Sequence, residues 1–111
     1  MTEKTESRLQ SEIFQWHWNT YPNHRGRLFT VHNNPRNKID GNRLKAMGLV
    51  AGVSDMILLR PERPPLCIEL KTENGRQGER QKWWQVVAEE TGADYVLIRS
   101  LDEFKALFGK Q

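Results

Sequence analysis

The 111-residue sequence has one cysteine, three histidines and five prolines, and no apolar run approaching the ~20 residues of a membrane-spanning helix. Cys67 alone cannot close an internal disulfide, which removes disulfide-framework and zinc-finger folds. The opening stretch, MTEKTESRLQSE, has no apolar centre, so no secretory leader is expected and a cytoplasmic location is. Repeats, low-complexity tracts and linkers are missing too. What is present, 37% hydrophobic and 28% charged residues, describes one globular domain over 1–111, with residues 1–7 expected to fray. A chain this long hides roughly two-thirds of its unfolded surface, enough for a core without structural metal.

The formal net charge of +3 is unevenly spread. Within 24–45 (HRGRLFTVHNNPRNKIDGNRLK), six Arg and Lys residues stand against Asp40 alone. Such a segment suits the phosphates of a polyanion, and equally a solvated loop. His32, Arg36, Lys38, Arg43 and Lys45 here, and Arg76 and Arg80 later, are the candidate phosphate contacts. His17 and His24 read as surface residues, and Cys67 as a small hydrophobe.

Periodicity predicts a helix over 7–19 with Leu9, Ile13 and Trp16 as its apolar stripe, stopped at Tyr21-Pro22. RLFTVH (27–32) reads as a strand and Asn33-Asn34-Pro35 as a turn. A short helix over 40–48 would carry Leu44 and Met47 on its apolar side. Strands 56–60 and 66–71 flank a proline-rich loop short enough for an antiparallel hairpin. A helix over 78–91 closes at Gly92, strand 95–99 follows, and Ser100 with Glu103 forms a capping box opening the last helix. The order α-β-(α)-β-β-α-β-α predicts an α/β fold, a small mixed sheet flanked by helices.

In the strand Leu66–Lys71 the side chains alternate, with Cys67, Glu69 and Lys71 on one face. A hairpin centred on residue 63 sets Asp55 opposite Lys71 and diagonal to Glu69, ~5–8 Å apart on that same face. Two such carboxylates repel unless a cation lies between them, and oxygen ligands without His or Cys suit Mg2+ or Mn2+. The triple also fits a surface ion-pair cluster. Glu12 lies within the apolar stripe of the first helix, where an unpaired carboxylate is costly. Gln81 lies one turn before Trp84, near its helix start.

GLVAGVSD (Gly48, Gly52, Asp55), then IELKT (Glu69, Lys71) and QKWW (Gln81, Trp84), resemble the virus-type replication-repair nuclease domain, VRR-NUC, of the PD-(D/E)XK superfamily. The likeness extends over residues 9–104. It implies a three-layer, restriction-endonuclease-like fold and a metal-dependent DNA endonuclease. In that resemblance Asp55, Glu69 and the Leu70 carbonyl hold Mg2+ or Mn2+. Lys71 handles the attacking water, while Glu12 and Gln81 assist. Glycines at 48 and 52 would allow a close approach to the strand end and to DNA. Ser54 departs from the proline of the superfamily motif, which bears on loop stiffness.

Small stand-alone members resemble Holliday-junction resolvases, implying a homodimer acting on branched DNA in a bacterium or phage-infected cell. Aromatic and apolar residues off the main stripes (Phe14, Trp18, Tyr21, Trp83 and Val86) agree with self-association. Two competing expectations are a non-catalytic nucleic-acid-binding module of the same fold and a PD-(D/E)XK nuclease with another DNA or RNA target.

Overall fold

The computed structural model describes residues 5–32 and 37–108, so the turn expected at 33–35 and Arg36 lie outside the described residues. Helix α1 (Glu6–Thr20) begins where the Thr5 hydroxyl accepts the Arg8 N–H (3.1 Å), and the chain leaves it through a 3-10 turn, Pro22–His24. Strand β1 (Leu28–Thr30), helix α2 (Lys38–Ala46) and the strands β2 (Met56–Leu58) and β3 (Leu66–Leu70) follow. Helix α3 (Glu79–Glu90), strand β4 (Asp94–Ile98) and helix α4 (Leu101–Ala106) complete the order. The Ser100 hydroxyl caps α4 by accepting the Glu103 N–H (3.1 Å), and Glu103 accepts the Arg99 N–H in return (2.6 Å).

The sheet runs β1-β2-β3-β4, antiparallel at its first two junctions and parallel at β3–β4, with α3 as the crossover. Parity divides its faces. Leu28, Met56, Leu58, Leu66, Ile68, Leu70 and Ile98 pack with Leu9 and Ile13 of α1 and Phe104 of α4 into one core. Cys67, Glu69 and Tyr95 face the other way, toward α3, whose Trp84 ring lies 6.3 Å from that of Tyr95. This is the three-layer arrangement, with both faces of β3 covered and all five of its residues buried.

Three expectations need correction. The hairpin is centred on Glu62, not residue 63: Met56 pairs with Ile68, and one further step of that register sets Asp55 nearest Glu69, with Lys71 beyond it. Glu62 itself takes φ 56°, the left-handed turn that sets this centre. A two-residue offset keeps parity, so the shared face is unchanged. On α1 the third buried residue is His17, not a surface histidine, while Trp16 beside it is half-buried, edge-on to Phe104 (5.8 Å). On α2, Met47 is 71% and Ile39 83% exposed; the buried residue of that helix is Gly41.

The loop from α2 to β2 is fixed by two residues. Gly52 takes φ +94°, and a Cβ there would stand 2.4 Å from the carbonyl oxygen of Arg80, on the first turn of α3. Ser54, fully buried, donates its hydroxyl to the Met56 carbonyl (3.2 Å), a bond that ties down the turn where the superfamily motif has a proline. Gly48 also has positive φ, but its added Cβ would meet open space. Gly52→Ala is therefore expected to cost about 2–4 kcal/mol in urea unfolding, and Gly48→Ala only the ~1–2 kcal/mol of left-handed backbone strain. Equal losses at the two positions would refute the close-packing account of Gly52.

Candidate active site

The β2–β3 hairpin brings Asp55, Glu69 and Lys71 to one end of the sheet. Antiparallel pairing ends at the bond from the Asp55 N–H to the Ile68 carbonyl (3.0 Å). One step on, the Leu70 N–H donates to the Asp55 carboxylate (2.7 Å) instead of to a backbone carbonyl. The N–H and C=O of an extended residue point to the same neighbouring strand, so the Leu70 carbonyl is aimed to the Asp55 side as well. The Lys71 N–H turns the opposite way, to Ile98 of β4 (3.1 Å), and its ammonium lies 3.8 Å from Glu69.

Glu69 is fully buried, and two elements supply its partners. Gln81 of α3 donates its amide N–H to one oxygen (2.5 Å), and Tyr95 of β4 donates its hydroxyl to the other (3.4 Å). Gln81 is held in turn by the Gly78 N–H, which its side-chain oxygen accepts (2.7 Å). Gln77 donates to the Tyr95 oxygen (3.1 Å) and to Gln85 (2.9 Å). Behind them, one Arg99 guanidinium nitrogen donates to the carbonyls of Thr72, Glu73 and Gly75, bracing the loop after Lys71.

Electrostatics follow from this burial. Desolvation, then the Asp55 charge, pushes Glu69 up to about 7, against the pull of Lys71. Burial also raises Asp55, opposed by the Leu70 N–H and aggravated by Glu6. The Tyr95 hydroxyl is raised by burial and by the charge of Glu69 beside it. A fully buried carboxylate opposite a second one, with a backbone carbonyl aimed at the same place, is a hard-oxygen donor set that fits Mg2+ or Mn2+. Among the described residues, no three His, Cys, Asp or Glu side chains converge; the donors are two carboxylates and main-chain oxygen.

Of the expected residues, Asp55, Glu69, Leu70, Lys71 and Gln81 are thus brought together. Glu12 lies 3.9 Å from Arg8, one turn back on α1. The α1 carboxylate whose charge raises both Asp55 and Glu69 is Glu6, one turn before Leu9. Glu6 is exposed, but it sits one turn before Leu9 and Ile13 on the same side of the helix, and that spacing was the signal for it. Tyr95, Gln77 and Arg99 had no local signal, since their roles depend on the parallel β3–β4 register.

A groove of about 640 Å³ opens beside Asp55 between α1 and β1, lined by Gln10, Phe14, Phe29 and the exposed His32 among others. Lys38, Lys45, Arg76 and Arg80 are exposed, Arg80 lying over the Trp83 ring (5.7 Å). Arg43 is tied to Asp40 (2.9 Å).

No family model and no curated protein matches this chain. Among solved structures, a VRR_NUC domain protein superposes with a TM-score of 0.70 over 96% of this chain and 87% of its own, at 21% identity. The fold is therefore the VRR-NUC fold, in agreement with the resemblance carried by GLVAGVSD and IELKT.

Because Glu69 is raised from 4.5 to about 7, the metal-free fold binds a proton that the unfolded chain releases. Its contribution is fully present below pH 4.5 and is lost as pH climbs through 7, with Asp55 acting in the same direction. Metal-free protein is expected to lose on the order of 3 kcal/mol from this source between those limits, and Glu69→Gln to flatten the slope. Urea titrations at a series of pH values check this; an unchanged slope in the variant would contradict it.

Proposed function

We propose that this chain, with its VRR-NUC fold, is a Mg2+- or Mn2+-dependent DNA endonuclease that hydrolyses phosphodiester bonds, as a single domain over 1–111. The observation that carries the proposal is that the Asp55 carboxylate, held on the Leu70 N–H, stands near enough to Glu69 for its charge to be felt there, with Lys71 3.8 Å from Glu69. A solvated ion-pair cluster has no need to bury one of its carboxylates completely, as Glu69 is. Nor does a passive DNA-binding module gain from two carboxylates beside phosphate.

Asp55, Glu69 and the Leu70 carbonyl would hold the cation, which supplies Lewis acidity and charge neutralisation at the phosphate. Gln81 and Tyr95 keep the Glu69 carboxylate fixed in orientation, so little rearrangement is needed when the ion enters. Lys71, an amine held close to Glu69, donates hydrogen bonds to the attacking water and to charge developing on the phosphate. Glu6 adds negative charge at the same end and favours the loaded site over the empty one. Glu12, 3.9 Å from Arg8, assists positioning at the site from α1.

His32, on the groove beside Asp55, and the exposed Lys38, Lys45, Arg76 and Arg80 are proposed to follow the DNA backbone, with Arg36 and Arg43 in the same basic segment. Branched or Holliday-junction-like DNA is the proposed substrate, cut by a homodimer in the cytoplasm of a bacterium or phage-infected cell. Trp83 and Val86, half-exposed on α3, support self-association.

Asp55→Ala and Lys71→Ala are each expected to lower Mg2+- or Mn2+-dependent cleavage by about 10³-fold or more while leaving junction binding within about twofold. Purified protein with matched linear, nicked, flap and four-way-junction DNAs, with metal or with chelator, gives the readout. Cleavage that survives chelation or the Asp55 variant would overturn the proposal. Sedimentation at micromolar concentration is expected to give a mass of two chains, and a single-chain mass would remove the dimer from it.

A further inference from the structure

Helix α2 is an excursion from the carboxylate end of the sheet. Just past β1 the Val31 N–H donates to the Asp55 carbonyl (2.9 Å), and after α2 the chain returns to that same Asp55. Eight residues separate Met47 from Asp55, so the two stand no more than about 29 Å apart. Along a duplex that is about eight base steps.

The helix is closed by local bonds. The Asn37 side chain accepts the Asp40 N–H (2.8 Å), and beyond the last turn the Leu49 N–H donates back to the Leu44 carbonyl (2.8 Å). Gly41 is its buried residue and Leu44 is half-buried. Its other large apolar side chains point outward. Ile39 (83%) and Met47 (71%) are the two most exposed large hydrophobic residues among those described. They lie two turns apart on one face with Arg43 midway, its guanidinium 3.4 Å from the Met47 sulfur. Lys38 and Lys45 are exposed on the same helix. The only acidic residue between 37 and 50 is Asp40, which is bound to Arg43 (2.9 Å).

Charge decides what covers this face. A twofold contact between copies repeats one patch on both sides, so it would set Lys38, Arg43 and Lys45 against their own equivalents. The centres of protein interfaces are also poor in charge. DNA phosphates attract the same three cations, and exposed Ile and Met are side chains that enter base steps.

We propose that α2 is a DNA wedge, with Ile39 and Met47 entering a break in the base stack and Lys38, Arg43 and Lys45 on the flanking phosphates. Prising bases apart is costly in continuous duplex and cheap where a branch, nick or flap has already interrupted the stack. The helix thereby selects discontinuous DNA by structure, without reading sequence. This inference rests on DNA being the substrate, as proposed above, and supplies a physical source for its structural preference.

Binding is measured in chelator, so that cleavage plays no part, with linear, nicked, flap and four-way-junction DNAs. Each carries a fluorescent adenine analogue, quenched by stacking, at the break or at the matching position of the linear duplex. Wild-type protein is expected to bind the three discontinuous DNAs more tightly and to brighten the analogue in them. Ile39→Ala with Met47→Ala keeps a good helix former at both exposed positions. That double variant is expected to lose about tenfold in affinity for the discontinuous DNAs and the fluorescence rise, yet stay within about twofold on linear duplex. Ile39→Leu with Met47→Leu is expected to retain both properties, and Lys38→Ala with Lys45→Ala to weaken all four DNAs alike. Unchanged discrimination in the alanine variant, or an equal loss on linear duplex, overturns the wedge and leaves the nuclease reading standing. A fall from two-chain to single-chain mass in that variant assigns the face to a second copy and overturns the wedge as well. If the wild-type chain binds none of the DNAs, the wedge and the proposed function fall together.

Discussion

Asp55 and Glu69 stand near one another at the end of the β2–β3 pair, and like charges so placed repel. The surroundings answer that repulsion one oxygen at a time. A main-chain N–H from Leu70 takes one Asp55 oxygen, while Gln81, Tyr95 and the Lys71 ammonium attend to Glu69. Even so, burial first and the Asp55 charge second hold Glu69 up at about 7. A group that needs a cation this much, held this rigidly, is a poor choice for stability and a good one for binding an ion.

The scaffold that holds this cluster is assembled from distant parts of the chain. The approach of Gly52 to the Arg80 carbonyl fixes the loop before Asp55 against the first turn of α3. That same turn carries Gln81, so one contact sets the spacing between the two carboxylates' supports. Arg99 does the corresponding work on the other side by gathering three carbonyls of the loop after Lys71. Neither contact is catalytic in itself; both determine where the site's side chains stand.

Much of this was legible in the sequence because it is local or periodic. Alternation put Glu69 and Lys71 on one face, Ser100 opens α4 as its N-cap, and Gly92 follows the end of α3, near the expected residues. The VRR-NUC resemblance, carried by short strings, agrees with the fold found by superposition. What was misread depended on geometry that local pattern does not encode. The hairpin centre moved to Glu62 because a left-handed residue, not the proline cluster, makes the turn. His17 is buried because the rings of Tyr21 and Phe108 flank it, and Phe108 is far away in sequence. The buried stripe of α1 continues from Ile13 to His17 rather than to Trp16, which turns the helix face by one residue and brings the charge of Glu6 to bear on the site.

The order in which the chain emerges during synthesis gives the parallel β3–β4 junction a further meaning. Glu69 and Lys71 are made before Tyr95, Ile98 and Arg99, which anchor one and brace the other. A hairpin of β2 and β3 alone would leave the Glu69 carboxylate facing water, ionised and unconstrained. Only when β4 docks does Glu69 acquire its buried setting, so a ribosome-bound or truncated fragment lacks the arrangement of carboxylates seen in the finished domain.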